Sequence, residues 1–124
     1  MKKVTIVILN WNGEEHLKSY LPRVVAHSNA ELCKIAVADN GSTDGSCSYV
    51  REHFPEVLLW KFDQNYGFAG GYNRAIEQVD TPYTLLLNSD AAPKAGWIEP
   101  LLELIEGNSS IAAVMPKLLS DREP

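Results

Sequence analysis

Four short apolar runs recur along the chain: VTIVIL at 4–9, KIAVA at 34–38, VLLWKF at 57–62 and YTLLL at 83–87. They are near-continuous rather than alternating, the pattern of strands covered on both faces, as in parallel sheets flanked by helices. Between them the period changes. From Glu14 to His27, Leu17, Leu21, Val24 and Val25 recur at three- and four-residue spacing, with Glu15, Lys18 and Arg23 turned the other way, which predicts an amphipathic helix. Pro22 inside it predicts a kink or a break, because proline has no N–H to donate and its ring crowds the preceding turn. Shorter helices are predicted over 44–53, ended by Pro55; over 70–79, with Ala75, Ile76 and Val79 inward; and over 95–106, with Pro100 near the first turn and Gly107 as the stop. A last apolar run, IAAVM at 111–115, predicts a fifth strand.

This alternation predicts an α/β fold, a Rossmann-like, mostly parallel sheet with helices on both faces and right-handed crossovers. With 124 residues, 45% of them hydrophobic, the chain has material for one compact domain over 1–124 and too little for two. Its formal net charge of -5 and eleven scattered basic residues argue against a nucleic-acid surface or an anionic-membrane patch, both of which need clustered Lys and Arg. Cys33 and Cys47 have no Cys or His at metal-ligand spacing and read as reduced thiols of a cytoplasmic protein. Val4 to Leu9 is too short to span a bilayer and lacks a signal-peptide cleavage site, so no membrane insertion by this chain is expected. Asn108-Ser109-Ser110 fits a glycosylation sequon, a triplet common by chance.

In a parallel sheet, ligands bind beyond the carboxyl ends of the strands. The segments that follow the four runs are NWNG (10–13), DNGSTDG (39–45), DQNYGFAGGYN (63–73) and NSD (88–90), every one polar or glycine-rich. Asp39 could cap a helix or form an Asx-turn. Ser42 or Asp44 stands closer to the predicted helix and is better placed to cap it, which leaves Asp39 to accept from a ribose hydroxyl or a base N–H. Gly67, Gly70 and Gly71 form either a plain glycine turn or a stretch whose backbone N–H groups can approach an anion. Their spacing is not the dinucleotide fingerprint, which would follow the first strand. Asn88-Ser89-Asp90 is either an ordinary turn or a place where one carboxylate holds a hard divalent cation together with substrate phosphates. Trp60 and Trp97 read as packing residues; His16, His27 and His53 read as solvated helix positions, with His53 favoured by its helix end.

Taken together, these segments resemble the N-terminal half of a family 2 glycosyltransferase of the GT-A fold, over about Val4 to Lys117. The resemblance rests on the Asn10-Trp11-Asn12 turn, the Asp39 to Ser46 loop, the Asn65-x-Gly67-Phe68-Ala69-Gly70-Gly71-x-Asn73 segment and the Asn88-Ser89-Asp90 turn. It implies that the first turn and Asp39 hold the base and ribose of a nucleotide-sugar donor, with Gly67, Gly70, Gly71, Asn73, Asn88 and Ser89 completing the nucleotide-sugar site. It implies too that Asp90 matches the last Asp of the family's Asp-x-Asp motif, which binds Mg2+ or Mn2+ bridging the diphosphate. Two positions depart from the pattern: Asn88 stands where the first Asp of that motif is usual, and Tyr72 where many members carry Arg. The Gly-Phe-Ala-Gly-Gly form is most similar to the rhamnosyltransferase-like branch, which implies a dTDP- or UDP-sugar donor and a saccharide or lipid-linked acceptor. Such an enzyme would work in the cytoplasm or peripherally at the inner face of the plasma membrane, in cell-surface polysaccharide synthesis.

Inverting members draw their general base from beyond the metal motif. The acids that follow Asp90 here, Glu99, Glu103, Glu106, Asp121 and Glu123, fall on a predicted helix or at the chain end, so no catalytic residue is assigned and the base is expected in a C-terminal part outside this chain. Little or no transfer is therefore expected of these residues alone. A receiver domain would need an acidic pair after the first strand, where Asn10 and Asn12 stand. A sugar-nucleotide pyrophosphorylase would open on a glycine-rich loop with Arg and Lys. The remaining alternative is a catalytically silent nucleotide-binding or interaction module of the same fold.

Overall fold

The computed structural model describes residues 2–108. Four strands and four helices alternate: β1 (Val4–Asn10), α1 (Glu14–His27), β2 (Cys33–Asp39), α2 (Ser46–His53), β3 (Leu58–Lys61), α3 (Gly67–Ile76), β4 (Tyr83–Asn88) and α4 (Ile98–Glu106). The strands form one parallel sheet in the order β3-β2-β1-β4. The predicted fifth strand at 111–115, Asp121 and Glu123 lie outside the described residues.

β1 is the central strand, and its alternating side chains feed two cores. Val4, Ile6 and Ile8 join Leu17, Leu21 and Val24 of α1, Val50 of α2, and Ile98 and Leu102 of α4 on one face. Val7 meets Ala38, Tyr72 and Ala75 of α3 on the other, with Leu9, Trp60 and Phe62 packed against them. Burial on both faces holds for the inner strands β1 and β2. The edge strand β4 instead alternates, with Leu86 about half exposed, because no described element covers its outer side on the α3 face.

The element boundaries differ from the sequence reading where backbone geometry decides. α3 begins three residues early, at Gly67, whose φ of +78 turns the chain into the helix, so Gly70 and Gly71 are helical rather than a loop. Its inward residues are Gly71, Tyr72 and Ala75, while Ile76 is exposed. α4 starts at Ile98 rather than 95 because Gly96 has φ +74, which a right-handed helix does not carry beyond its first residue. Pro22 does not break α1: Leu17, Leu21 and Val24 anchor the helix on both sides of it. His27 is half-buried, its Nδ1 2.9 Å from the carbonyl oxygen of Pro93, rather than solvated. Trp97 packs as expected and donates from Nε1 to Ser28 Oγ at 3.0 Å.

The chain places β2 and β3 on one side of β1, then returns past it to lay β4 on the other side. α1 and α2 lie on one face and α3 on the opposite one, so the winding reverses between β1 and β4. A doubly wound sheet opens a crevice at such a switch point, beyond the carboxyl ends of the two strands.

Candidate functional site

The carboxyl edge gathers the four polar segments, and the first two are fastened together by side chains. Asn10, at the end of β1, donates from Nδ2 to Asp39 Oδ1 at 2.9 Å and to Ser42 Oγ at 3.3 Å. Asp39 also accepts from the Ser42 amide at 3.0 Å and the Ser42 hydroxyl at 2.7 Å. The Cys47 thiol lies beside it, pushed up to about 11 by burial and then by the Asp39 charge. Asp39 is fully buried. Asp39 is thus a hub that fixes the turn after β1 to the loop after β2.

Asn12 continues the fastening. It adopts φ +49, a conformation that Asn tolerates better than most residues. Its amide donates to Ser42 Oγ at 2.8 Å, and its Oδ1 accepts from the amides of Thr43 at 2.8 Å and Asp44 at 3.3 Å. The two helix starts then exchange carboxylates. Asp44 accepts from the Glu14 amide at 3.2 Å and from the Ser46 amide at 3.0 Å, while Glu14 accepts from the Gly45 amide at 3.0 Å. Each acid thereby satisfies donors that a helix leaves open at its N-terminus. Desolvation pushes Asp44 up, but bonds from Ser46 and the Glu14 amide outweigh it and hold the carboxyl below its ordinary value. Glu14 is lowered chiefly by its bond with Lys18, then by Gly45.

On the other side of the edge, Asn40 forks onto the start of α3. Its Oδ1 accepts from the Tyr66 amide at 2.9 Å, and its Nδ2 donates to the Gly67 carbonyl at 3.0 Å. Gly71 leaves the room this requires, since a Cβ there would stand 2.8 Å from both Asn40 Nδ2 and Leu9 Cδ1. Gly71 thus serves packing beneath the edge. Asn65 Oδ1 accepts from the Gly67 amide at 2.7 Å, and Asn73 is exposed on α3. Arg74 lies with its guanidinium 3.7 Å above the Tyr66 ring.

At the switch point, Asn10 Oδ1 is buried and has no partner among the described residues. A Cβ on Gly13 would fall 2.5 Å from that oxygen and 3.7 Å from Ser89 Oγ, so these three groups line one narrow gap between the turns after β1 and β4. Trp11 stands out from this edge, 56% exposed, and Asn88 and Asp90 are exposed. Asp90 makes no hydrogen bond or ion pair with the described residues. Among them no cluster of three or more His, Cys, Asp or Glu side chains forms a metal cage. Asp90 with Asn88 and Ser89 supplies hard oxygen donors and a single charge, a set that fits a divalent cation shared with phosphates and not one held by protein alone.

Sequence reasoning took Ser42 for a helix cap, read Tyr72 only as a departure from the family pattern and gave Asn40 no role. The Asp-x-x-Ser spacing of an Asx-type turn could have flagged Ser42; nothing local marks Asn40, whose partners are 26 and 27 residues away. A hollow of about 290 Å³ lies at the opposite, amino edge of the sheet, near Lys2, Cys33 and Leu58, away from these groups.

The profile of Glycosyl transferase family 2 matches residues 5–121. The chain belongs to that family. Among family 2 and related proteins it is 31% identical over 126 residues to a teichoic acid poly(glycerol phosphate) polymerase of Staphylococcus epidermidis, covering 98% of this chain and 17% of that protein. It is 25% identical over 122 residues to a chondroitin synthase of Escherichia coli, covering 95% of the chain and 18% of the synthase. The chain thus spans less than a fifth of the length of these relatives. Its fold is that of S. aureus TarS, with a TM-score of 0.74 at 18% identity, over 85% of this chain and 20% of the other. The TarS fragment 1–349 has been solved with UDP-GlcNAc. The mannosyltransferase PcManGT from Pyrobaculum calidifontis, solved with GDP-Man and Mn2+, superposes with a TM-score of 0.73 at 21% identity, over 83% of this chain and 32% of that one. The GT-A fold and the family 2 assignment agree with the sequence motifs. The rhamnosyltransferase-like branch is not among these relatives. Among the described residues no helix is long and apolar enough to cross a membrane.

Proposed function

We propose that residues 1–124 form the donor-binding domain of an inverting family 2 glycosyltransferase, which moves a sugar from a nucleoside diphosphate to a saccharide or lipid-linked acceptor. The observation that carries this reading is the exposed Asp90 at the switch point, without a hydrogen-bond or ion-pair partner among the described residues, beside a turn after β1 that buried polar contacts hold. Asn10, Trp11 and Asn12 form the nucleotide wall, with Ser89 and the gap over Gly13 beside it. Asp39 acts on the nucleotide through the Asn10 and Ser42 groups it holds. Gly67 and Gly70 open the first turn of α3 to the diphosphate, and Asn73 and Asn88 flank it. Asp90 holds Mg2+ or Mn2+, which when bound stabilises the charge that develops on the leaving diphosphate. The general base belongs to a part of the enzyme beyond these residues. In support of that, Glu99 and Glu106 point to the amino edge, bonded to Asn29 and Lys3.

The donor nucleotide is UDP or dTDP, a dTDP-rhamnose-type donor being the choice the Gly67–Gly71 motif favours. The enzyme works in the cytoplasm, at the inner face of the plasma membrane if the acceptor is lipid-linked. The neutral residues Asn88 and Tyr72, at places where charge is usual, favour a second reading as a silent nucleotide-binding module.

Calorimetric titration with UDP, dTDP and GDP, with and without Mn2+, tests the proposal. One nucleotide is expected to bind with metal at least tenfold more tightly than without. Asp90→Ala should erase that difference, and Asp39→Ala should weaken binding in both conditions. Metal-independent binding would favour the silent module, and binding of none of the three to the folded chain would sink the donor-domain reading.

A further inference from the structure

Tyr72 stands where an arginine is expected, and the structure gives its phenol a different connection. The side chain is 5% exposed, one turn into α3, and its hydroxyl donates to the Leu87 carbonyl at 3.0 Å. Leu87 is the last residue before the Asn88-Ser89-Asp90 turn. Among the described residues no other side-chain hydrogen bond reaches residues 84–90. Beyond the ladder to β1, which runs to Asn88 opposite Leu9, the turn carries a bond from the Ala91 amide to the Asn88 carbonyl at 3.2 Å. The exposed Phe68 ring rests edge-on against Tyr72, centroids 4.9 Å apart. Burial pushes the phenol above its ordinary value, with a backbone contact to Leu9 opposing and the charge of Asp90 adding to it, so the hydroxyl lies where β1 and β4 end and within the field of Asp90.

We infer that Tyr72 is a positioning residue for the cation turn: its hydroxyl pins the end of β4 to α3 and so fixes where Asp90 presents its carboxylate. Among the described residues β4 pairs with β1 alone, so few of them constrain its carboxyl end. A buried hydrogen bond from a helix that is itself locked to β2 through Asn40 supplies the missing brace. The inference rests on the reading of Asp90 as the cation ligand.

The decisive variant is Tyr72→Phe, which removes one oxygen and keeps the ring. In calorimetry, Mn2+-dependent nucleotide binding is expected to weaken roughly three- to tenfold, the range of one lost hydrogen bond, with metal-free binding unchanged. Hydrogen exchange gives a reading independent of ligand: the amides of 88–91 should exchange several-fold faster while those of β1 and β2 keep their rates, which also certifies the fold. Phe68→Ala strips the ring contact and keeps the hydroxyl, and should behave as wild type in metal dependence. If Tyr72→Phe matches wild type in both measurements, or Phe68→Ala weakens metal dependence equally, Tyr72 only packs and the inference fails alone. If wild type binds nucleotide with no metal dependence, the role of Asp90 fails and this inference falls with it.

Discussion

Gly41 shows how a single backbone position sets the edge. Its φ is +83, and a Cβ there would fall 2.8 Å from the backbone carbon of Gln64 and 3.1 Å from the Asn65 nitrogen. Neither obstacle can swing aside, unlike the side-chain tips that crowd Gly71. Gly41→Ala is therefore expected to lower unfolding stability by roughly 1–3 kcal/mol, from the left-handed conformation and the overlap together. Urea denaturation at constant slope would measure it, and an unchanged midpoint would mean the loop does not pack on 64–65 as described. The place of Asp39 at a strand end was legible from the run of apolar residues before it. Its occupation was not, because the Asn10 amide that engages it lies 29 residues away and becomes a neighbour only when β1 and β2 pair. Ser42, three residues on, was noticed as a helix cap and turned out to serve the carboxylate behind it.

At the scale of elements, the exchange of carboxylates between α1 and α2 has a pH signature. Asp44 and Glu14 both titrate below their ordinary values of 3.8 and 4.5 in the folded protein. A depressed folded value contributes stability that is complete above the unfolded value and is lost as pH falls through the folded one. Asp44→Asn should therefore destabilise at pH 7 and converge on wild type as pH drops below about 3.8, the ordinary value of the lost group. Thermal melts of both proteins across pH 2–7 would show it, and parallel curves down to pH 2 would remove the carboxylate from the account. The strands and α1 were readable because apolar period is a local property. The start of α3 was not: a run of glycines and aromatics has poor helix propensity, and it becomes helical because Asn40 and the Val7–Ala38 surface hold it. The continuity of α1 through Pro22 is likewise decided by the sheet beneath it.

For the whole molecule, the alternation of elements predicted a parallel sheet but not the order β3-β2-β1-β4, since alternation alone is compatible with several doubly wound orders. That order, which creates the switch point, is a matter of which strands meet across the chain. It also sets the distribution of stability. Amides of β1 and β2, paired on both sides, should exchange only through global opening, whereas the outward amides of β3 and β4, which pair on one side only among the described residues, should exchange by local fraying at least tenfold faster. Uniform protection across all four strands would contradict the described edges. The swapped carboxylates of α1 and α2 bear, finally, on how a ligand arrives. Two of the three helix starts at the carboxyl edge already carry an internal counter-anion, on a chain whose formal charge is -5. A free anion approaching those two starts finds their amides already engaged, with Glu14 itself tied to Lys18 at 2.9 Å. On the donor-domain proposal, a diphosphate paired with a divalent cation meets less repulsion from the acidic chain than a bare one, so the ion-paired form is favoured before any contact is made.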